Sequence, residues 1–105
     1  MKGKIVIKES DIHYHLQARI LQRGVSIKEI ETALNDGWAA DDAKEGTIGR
    51  TCIFPYNKYW EGRFFEEKEV TVYYRYKNEK LILLTVKARY GNKFLKMERK
   101  NEDRI

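Results

Sequence analysis

The fold is decided by residues 15–24, which have the sequence HLQARILQRG. Two sets of side chains step by four residues through this segment: an apolar set (Ile12, Leu16, Ile20) and a titratable set (His15, Arg19, Arg23). Steps of four place side chains in neighbouring stripes on one side of an α-helix. We therefore predict a helix that Ser10 caps, with Asp11 in its first turn, and that runs to about Gln22 before Gly24 ends it.

A second helix is predicted directly after the first. The segment Ser26-Ile27-Lys28-Glu29 fits a capping box, and Val25 and Ile30 fit the hydrophobic staple that accompanies one. Asn35-Asp36-Gly37 has the composition that ends a helix. Because the connection between them is so short, the two helices are expected to be neighbours.

The remaining chain favours β-strands. Clear strands are predicted at residues 69–76 and 81–90, and two further strands between residues 47 and 68. A short edge strand is expected at residues 3–8. The predicted turns are at residues 41–46, 62–63 and 66–68, where polar residues or glycine cluster.

The two clear strands should form a hairpin whose register follows from their apolar faces. Residues that pair directly point to the same side of a sheet. The apolar faces coincide only if the loop is the odd-numbered Lys77-Asn78-Glu79, which would place Tyr74 opposite Ile82 and Val72 opposite Leu84. The helices would cover this face, and the opposite face would present polar and cationic side chains: Thr71, Tyr73, Arg75, Thr85, Lys87 and Arg89.

The predicted fold is α+β, with two N-terminal helices packed on one face of a curved, mainly antiparallel sheet of about four strands. Its 105 residues, of which 42% are hydrophobic, fit a single domain over residues 1–96. Residues 97–105 mix both signs of charge and are expected to form a charged tail.

The charge balance favours contact with polyanions. The chain has 21 Lys and Arg against 16 Asp and Glu, a net charge of +5, and RNA and DNA are the commonest biological polyanions. A Lys-rich surface without such a partner is the alternative. Cys52 is the only cysteine, which excludes a disulfide framework. With no membrane-length apolar run and no signal peptide, a cytoplasmic protein without membrane contact is expected.

Neither a metal nor a cofactor is predicted. His13 and His15 are two residues apart, a spacing that directs side chains apart on a helix, and no cysteine or spaced carboxylate accompanies them. Cys52 lies in a β-prone segment and is expected to be a small core residue. Chemistry that uses imidazole and guanidinium groups alone is therefore favoured.

Metal-independent RNA cleavage needs groups of these types. A base takes the proton of the 2′-hydroxyl, an acid protonates the leaving oxygen, and cations stabilise the phosphate. His15 is the predicted proton-transfer group and Arg19 and Arg89 the predicted charge-stabilising groups, which together form the candidate catalytic set. Contacts to the nucleic acid are predicted for six further residues: Arg23, Arg50, Tyr73, Arg75, Thr85 and Lys87.

Each of these residues also has a structural interpretation. Arg19 and Arg23 project close to the apolar direction of their helix, and a buried arginine needs an anion. That anion is either a ligand phosphate or an internal carboxylate, Glu29 or Asp36. His15 is alternatively a satisfied boundary residue, the cations of 81–90 are solvated, and the tyrosines are ordinary β-formers.

The stretch His15-x-x-x-Arg19-Ile20-x-x-Arg23-Gly24-Val25-Ser26, followed by Ile30-x-x-Ala33-Leu34-x-x-Gly37, resembles an uncharacterised bacterial family, the domain of unknown function 4258. Members of that family open with His-x-x-x-Arg-Met-x-x-Arg-Gly-Ile and end with a strand of the Val-Thr-Val kind, which Leu84-Thr85-Val86 matches. The chain departs from the pattern at His13 and in a longer aromatic region, residues 57–65.

That family is similar to the toxin-like ribonucleases of the barnase, EndoU, colicin and RelE grouping, which includes the RelE/ParE and BrnT toxins. The resemblance implies the same α+β fold and, more loosely, ribonuclease or toxin activity with an antitoxin-like protein partner. We therefore expect a small RNA-binding protein or metal-independent ribonuclease. The alternative is a non-catalytic interaction module, in which the aromatic residues 56–65 bind a protein partner or a second copy of the chain.

Overall fold

The computed structural model describes residues 4–94 and shows two helices followed by an open antiparallel sheet. The helical elements are a 3₁₀ turn at Glu9–Asp11, α1 (Tyr14–Arg23) and α2 (Ile27–Asp36). The strands are β1 (Trp38–Ala39), β2 (Ile48–Trp60), β3 (Arg63–Lys77) and β4 (Lys80–Gly91), in the sheet order β1-β2-β3-β4. The predicted α+β architecture is confirmed.

Two predictions concern the ends of the chain. The charged tail at 97–105 lies outside the described residues. The prediction of an edge strand at residues 3–8 is wrong, because residues 4–8 form no strand and the backbone of Ile5 and Ile7 bonds to side chains of α2 instead. The Ile5 N–H donates to Asn35 Oδ1 at 2.8 Å, Asn35 Nδ2 donates to the Ile5 carbonyl at 2.9 Å, and the Ile7 N–H donates to Glu31 Oε2 at 2.7 Å.

Helix α1 begins later than predicted. Ser10 lies in the 3₁₀ turn, and the residue that caps α1 is His13, whose Nδ1 accepts a hydrogen bond from the Leu16 N–H at 3.4 Å. Asp11 is used by the preceding turn, where its carboxylate accepts from the Lys8 N–H. The C-terminal end is as predicted, with Gly24 in the left-handed conformation at a φ of 69°.

Helix α2 confirms the prediction from its capping box. Ser26 Oγ accepts from the Glu29 N–H at 3.1 Å, and Glu29 Oε1 accepts from the Ser26 N–H at 3.0 Å. Val25 and Ile30 are both buried, as the hydrophobic staple requires. Since two N–H groups at the start of the helix are satisfied by residues within the same four-residue segment, this helix could be predicted directly from its own sequence.

Strands β2 and β3 form a long hairpin that runs through the predicted turn at residues 66–68. The hairpin turn is at Glu61-Gly62, one residue from the turn predicted at residues 62–63, and Lys68 lies within β3 opposite Phe54. The pairing shifts between Pro55 and Lys58, where two residues of β2 face one residue of β3. The charged run at 66–68 was misread because charge is typical of turns but does not prevent a strand.

The predicted register of the β3–β4 hairpin is wrong. Lys77 pairs with Lys80 across a two-residue turn in which Asn78 and Glu79 both have positive φ, the geometry of a type I′ turn. An irregularity between Tyr73 and Tyr74 leaves Leu84 unpaired, so that β4 changes faces along its length. The even loop and the bulge together bring the apolar residues of β3 and β4 to one face of the sheet, which the odd loop was expected to do.

The core lies between the helices and one face of the sheet. Val72 pairs with Val86 and Tyr74 with Leu83, and all four are buried. Leu16 and Ile30 cover them from α1 and α2. Leu83 was expected on the opposite face, and the bulge brings it into the core. We call the face away from the helices the outer face. Across residues 4–94, no helix has the length and apolar character needed to cross a membrane.

Candidate functional site

The structure places the predicted site residues in separate regions. His15, Arg19 and Arg23 lie on α1, whereas Tyr73, Arg75, Thr85, Lys87 and Arg89 belong to the sheet positions that alternate with the buried core residues. Arg50 pairs with Val72 and therefore lies on the helix-covered face. The candidate catalytic set is thus divided, because Arg89 is on the outer face and His15 is on a helix.

The N-terminal half of α1 exposes two imidazoles, a phenol and a guanidinium: His13, Tyr14, His15 and Arg19, which we call the α1 surface. The rings of His13 and His15 are 6.2 Å apart and those of Tyr14 and His15 are 5.3 Å apart, both edge to face. Tyr14 is 80% exposed. The spacing of four residues places Arg19 one helical turn from His15.

The electrostatics of the α1 surface favour an anion. The first turn of α1 contains no acidic residue, so the positive end of the helix dipole is not neutralised there. Within residues 4–94, no carboxylate forms an ion pair with Arg19. Because His13 Nδ1 accepts the capping hydrogen bond, only its Nε2 is available to a ligand.

Arg23 has a structural role in this arrangement. Its side chain is half-buried, and its Nε donates to the Val86 carbonyl of β4 at 3.2 Å. The partner of this guanidinium is therefore a neutral backbone carbonyl, and not the carboxylate of Glu29 or Asp36 that the sequence suggested. Arg23 attaches α1 to the edge of the sheet, and a single hydrogen bond leaves its other donors for solvent.

On the outer face, the two predicted cations of β4 are paired with carboxylates. Arg89 donates from Nε and a terminal nitrogen to the two oxygens of Glu69, at 2.9 and 3.0 Å. Lys87 Nζ donates to Asp42 Oδ2 at 3.0 Å. Both cations remain more than half exposed, and the Lys87–Asp42 pair, in which the carboxylate is exposed as well, is therefore weak. This pairing reduces the positive field that the sequence predicted for the face.

Tyr73 completes a three-residue network with Asp42 and Lys87. Its hydroxyl donates to Asp42 Oδ1 at 2.8 Å, and the Lys87 ammonium lies 5.2 Å from the centre of its ring. The hydrogen bonds that Lys87 and Tyr73 donate lower the pKa of Asp42, and the bond that Lys87 donates to Asp42 raises the pKa of Lys87. Burial chiefly raises the pKa of Tyr73, which is 8% exposed and not available as a base platform.

The other predicted residues are dispersed. Thr85 pairs with Tyr73 and is half-buried, and Arg75 is exposed opposite Ile82 near the end of β3. Arg50 lies near Tyr74, where its charge partly offsets the effect of burial, which raises the pKa of that phenol. These residues do not converge on one pocket. In the described part of the chain, no group of three or more His, Cys, Asp or Glu side chains is placed to hold a metal ion.

Sequence reasoning missed the polar centre of the molecule, Lys68. Its side chain is 5% exposed, its Nζ donates to Glu29 Oε1 at 3.0 Å and to the Gly24 carbonyl, and the rings of Tyr56 and Tyr90 lie within 6 Å. A signal was present, because Lys68 continues the alternating inward series of Val70 and Val72. It was overlooked when residues 66–68 were assigned to a turn.

The aromatic region divides into a half-buried part and an exposed part. Trp60 stacks on Tyr90 with ring centres 4.7 Å apart and fills the space beside Gly24, where a Cβ would lie 2.7 Å from the indole. Tyr59 and Phe64, which pair across the hairpin, are 71% and 48% exposed, and their rings lie 5.5 Å apart. The exposed part is therefore Tyr59 and Phe64, and Trp60 stabilises the fold.

Comparison with known proteins identifies no relative of this chain: no family model, no curated protein and no solved structure matches it. The resemblance to the domain of unknown function 4258 stays a prediction based on the residues quoted above.

Proposed function

We propose that this protein binds RNA through the α1 surface. The observation that carries the proposal is Arg19, an exposed guanidinium without an ion pair in the described chain, one helical turn from the exposed imidazole of His15. A guanidinium presents planar donors to phosphate oxygens, and exposed Tyr14 offers a ring on which an unstacked base can stack. The net charge of +5 supports a polyanionic ligand.

The same surface carries the groups for cleavage without a metal. The reaction would begin when one imidazole takes the 2′-hydroxyl proton, so that the 2′-oxygen attacks the adjacent phosphorus. A protonated imidazole would give its proton to the departing 5′-oxygen, which leaves a 2′,3′-cyclic phosphate. His15 and His13 are the two imidazoles within reach, and Arg19 would stabilise the charge on the phosphate.

The test is to incubate the purified protein with labelled RNA in the presence of a chelator. We expect RNA binding that weakens steeply with salt, and a cyclic phosphate end on any cleaved product. His15→Ala should abolish cleavage while leaving most of the binding, and Arg19→Ala should weaken both. Absence of salt-sensitive binding by the wild-type protein would refute the proposal, and binding without cleavage would refute only its catalytic part.

A second candidate function is supported by Tyr59 and Phe64. Two exposed aromatic side chains in contact at the end of a hairpin have the composition of an interface anchor. In this proposal, the hairpin binds a protein partner of the antitoxin kind or a second copy of the chain. Tyr59→Ala with Phe64→Ala should then abolish association measured by sedimentation, while His15→Ala has no effect. Trp60→Ala is unsuitable for this test, because it also removes the stacking contact with Tyr90 inside the fold.

A further inference from the structure

The turn between β3 and β4 concentrates positive charge. Arg75, Lys77 and Lys80 are all exposed, and we call these three residues the basic turn. Because Lys77 pairs directly with Lys80 and Arg75 is two residues before Lys77, alternation directs the three side chains to the same side of the hairpin. In the stretch of chain that the structure covers, none of them takes part in an ion pair.

This arrangement is unfavourable for the fold itself. Like charges directly opposite each other across two strands destabilise a hairpin. Glu79 adds to the cost, because its φ of 66° is a conformation in which glycine is preferred. A local conflict of this kind, without a compensating contact, is expected where a residue serves binding more than stability.

The contrast with the rest of the outer face strengthens this point. Lys87 is paired with Asp42 and Arg89 with Glu69, whereas within residues 4–94 no carboxylate forms an ion pair with the basic turn, including Glu79 in the turn itself. The charges of the basic turn are therefore less compensated by paired carboxylates than those of Lys87 and Arg89.

We propose that the basic turn binds the phosphate backbone of RNA. This inference rests on the proposed function and adds a second contact region to the α1 surface. Residues two apart on a strand lie roughly 7 Å apart, a separation comparable with that of successive phosphates along an extended strand. A protein partner fits less well, since Ile82, which lies opposite Arg75, is half-buried, and alternation directs the exposed ring of Tyr76 to the other side of the hairpin.

The experiment compares two charge-matched double variants. Lys77→Gln with Lys80→Gln removes two charges from the basic turn, and Lys28→Gln with Lys44→Gln removes two exposed charges from α2 and the β1–β2 loop. Binding of labelled oligouridine is measured by fluorescence anisotropy at several salt concentrations. Each lost phosphate contact lowers the salt slope by about 0.7, so the first variant should lose about 1.4 and the control almost nothing.

The thermal midpoint supplies a second readout. Removing the like-charge pair should leave the midpoint of the Lys77→Gln, Lys80→Gln variant unchanged or higher while binding falls, a combination that damage to the fold would not produce. Equal slopes for both double variants would overturn the inference and leave the proposed function intact. No salt-sensitive binding by the wild-type chain would overturn both. If the Lys77→Gln, Lys80→Gln variant lost binding to polyglutamate but kept binding to oligouridine, the turn would be a binding site for an acidic protein. That result would also overturn the inference.

Discussion

Lys68 Nζ lies 3.0 Å from Glu29 Oε1, and this ion pair joins strand β3 to the first turn of α2. The same ammonium donates to the Gly24 carbonyl at the end of α1. One nearly buried lysine therefore attaches both helices to the sheet. Its own burial is costly, and the three contacts with Glu29, Gly24 and the neighbouring rings offset that cost.

Breaking this ion pair should destabilise the protein strongly. Lys68→Met leaves Glu29 partly buried without its partner and should lower the free energy of unfolding by about 2–3 kcal/mol. Glu29→Gln keeps an N3 residue that can cap α2 and should cost about 1–2 kcal/mol. Urea unfolding of both variants and of the double variant should give a loss smaller than the sum of the two. Strict additivity would show that the two residues do not interact.

The two arginines of α1 should respond differently to removal. Arg23→Ala loses the hydrogen bond to Val86 and the packing of its stem, and should lower the free energy of unfolding by about 1–2 kcal/mol. Arg19→Ala changes an exposed side chain and should stay within about 0.5 kcal/mol of the wild type, while RNA binding weakens. Thermal unfolding combined with an RNA titration separates the two roles. The opposite assignment would be indicated if Arg19→Ala lowered stability and left binding intact.

Replacing Glu79 should make the protein more stable. Glu79→Gly relieves a left-handed residue in a type I′ turn, where glycine is preferred, and should raise the free energy of unfolding by about 0.5–1 kcal/mol. Glu45→Gly is the control, since Glu45 is also an exposed turn residue but does not have a positive φ. It should lower stability slightly. Equal effects of the two substitutions would argue against strain at Glu79.

Stability should fall at alkaline pH. Burial raises the pKa of Tyr90, Tyr73 and Tyr74 above the usual value near 10, so the folded state keeps phenol protons that the unfolded chain has lost. Their contribution is complete below about pH 10 and is lost as the pH rises through the folded pKa. Urea unfolding between pH 7 and pH 11 should show this decline.

Tyr90→Phe should make that alkaline decline shallower. At pH 7 the same substitution should cost about 1 kcal/mol, because the hydroxyl donates to the Arg23 carbonyl at 2.6 Å. Tyr59→Phe removes an exposed hydroxyl and should leave the free energy of unfolding at pH 7 unchanged. A decline as steep in Tyr90→Phe as in the wild type would assign the alkaline sensitivity to other groups.

The parts of the fold that could be predicted are those whose hydrogen bonds are local. The capping box of α2 and the glycine after α1 involve residues three or four positions apart, and both are as predicted. The start of α1 was placed too early, because Ser10 is a better cap by composition than His13. The tertiary contacts of the preceding segment decided against it.

The strand register and the site depend on information that composition does not carry. An odd loop and an even loop with a bulge bring the same apolar residues together, so alternation alone could not choose between them. The sequence identifies the cations of the sheet by residue type. Whether each one pairs with a carboxylate depends on which loop packs over it, and this is not visible in the sequence. Asp42 reaches Lys87 only because the β1–β2 connection folds over the sheet. Only the observed register shows that Lys77 and Lys80 lie directly opposite each other.

The free edge of β2 has a consequence for self-association. Beyond β1, its edge contains Pro55, which has no N–H to donate, and then the shift at residues 56–57. A neighbouring molecule that tried to extend the sheet along this edge would find its ladder interrupted after a few residues. Within residues 4–94, β1 covers only two residues of this thirteen-residue strand, so we expect the interruption at Pro55 to be what opposes open-ended polymerisation into fibrils along the rest of its edge.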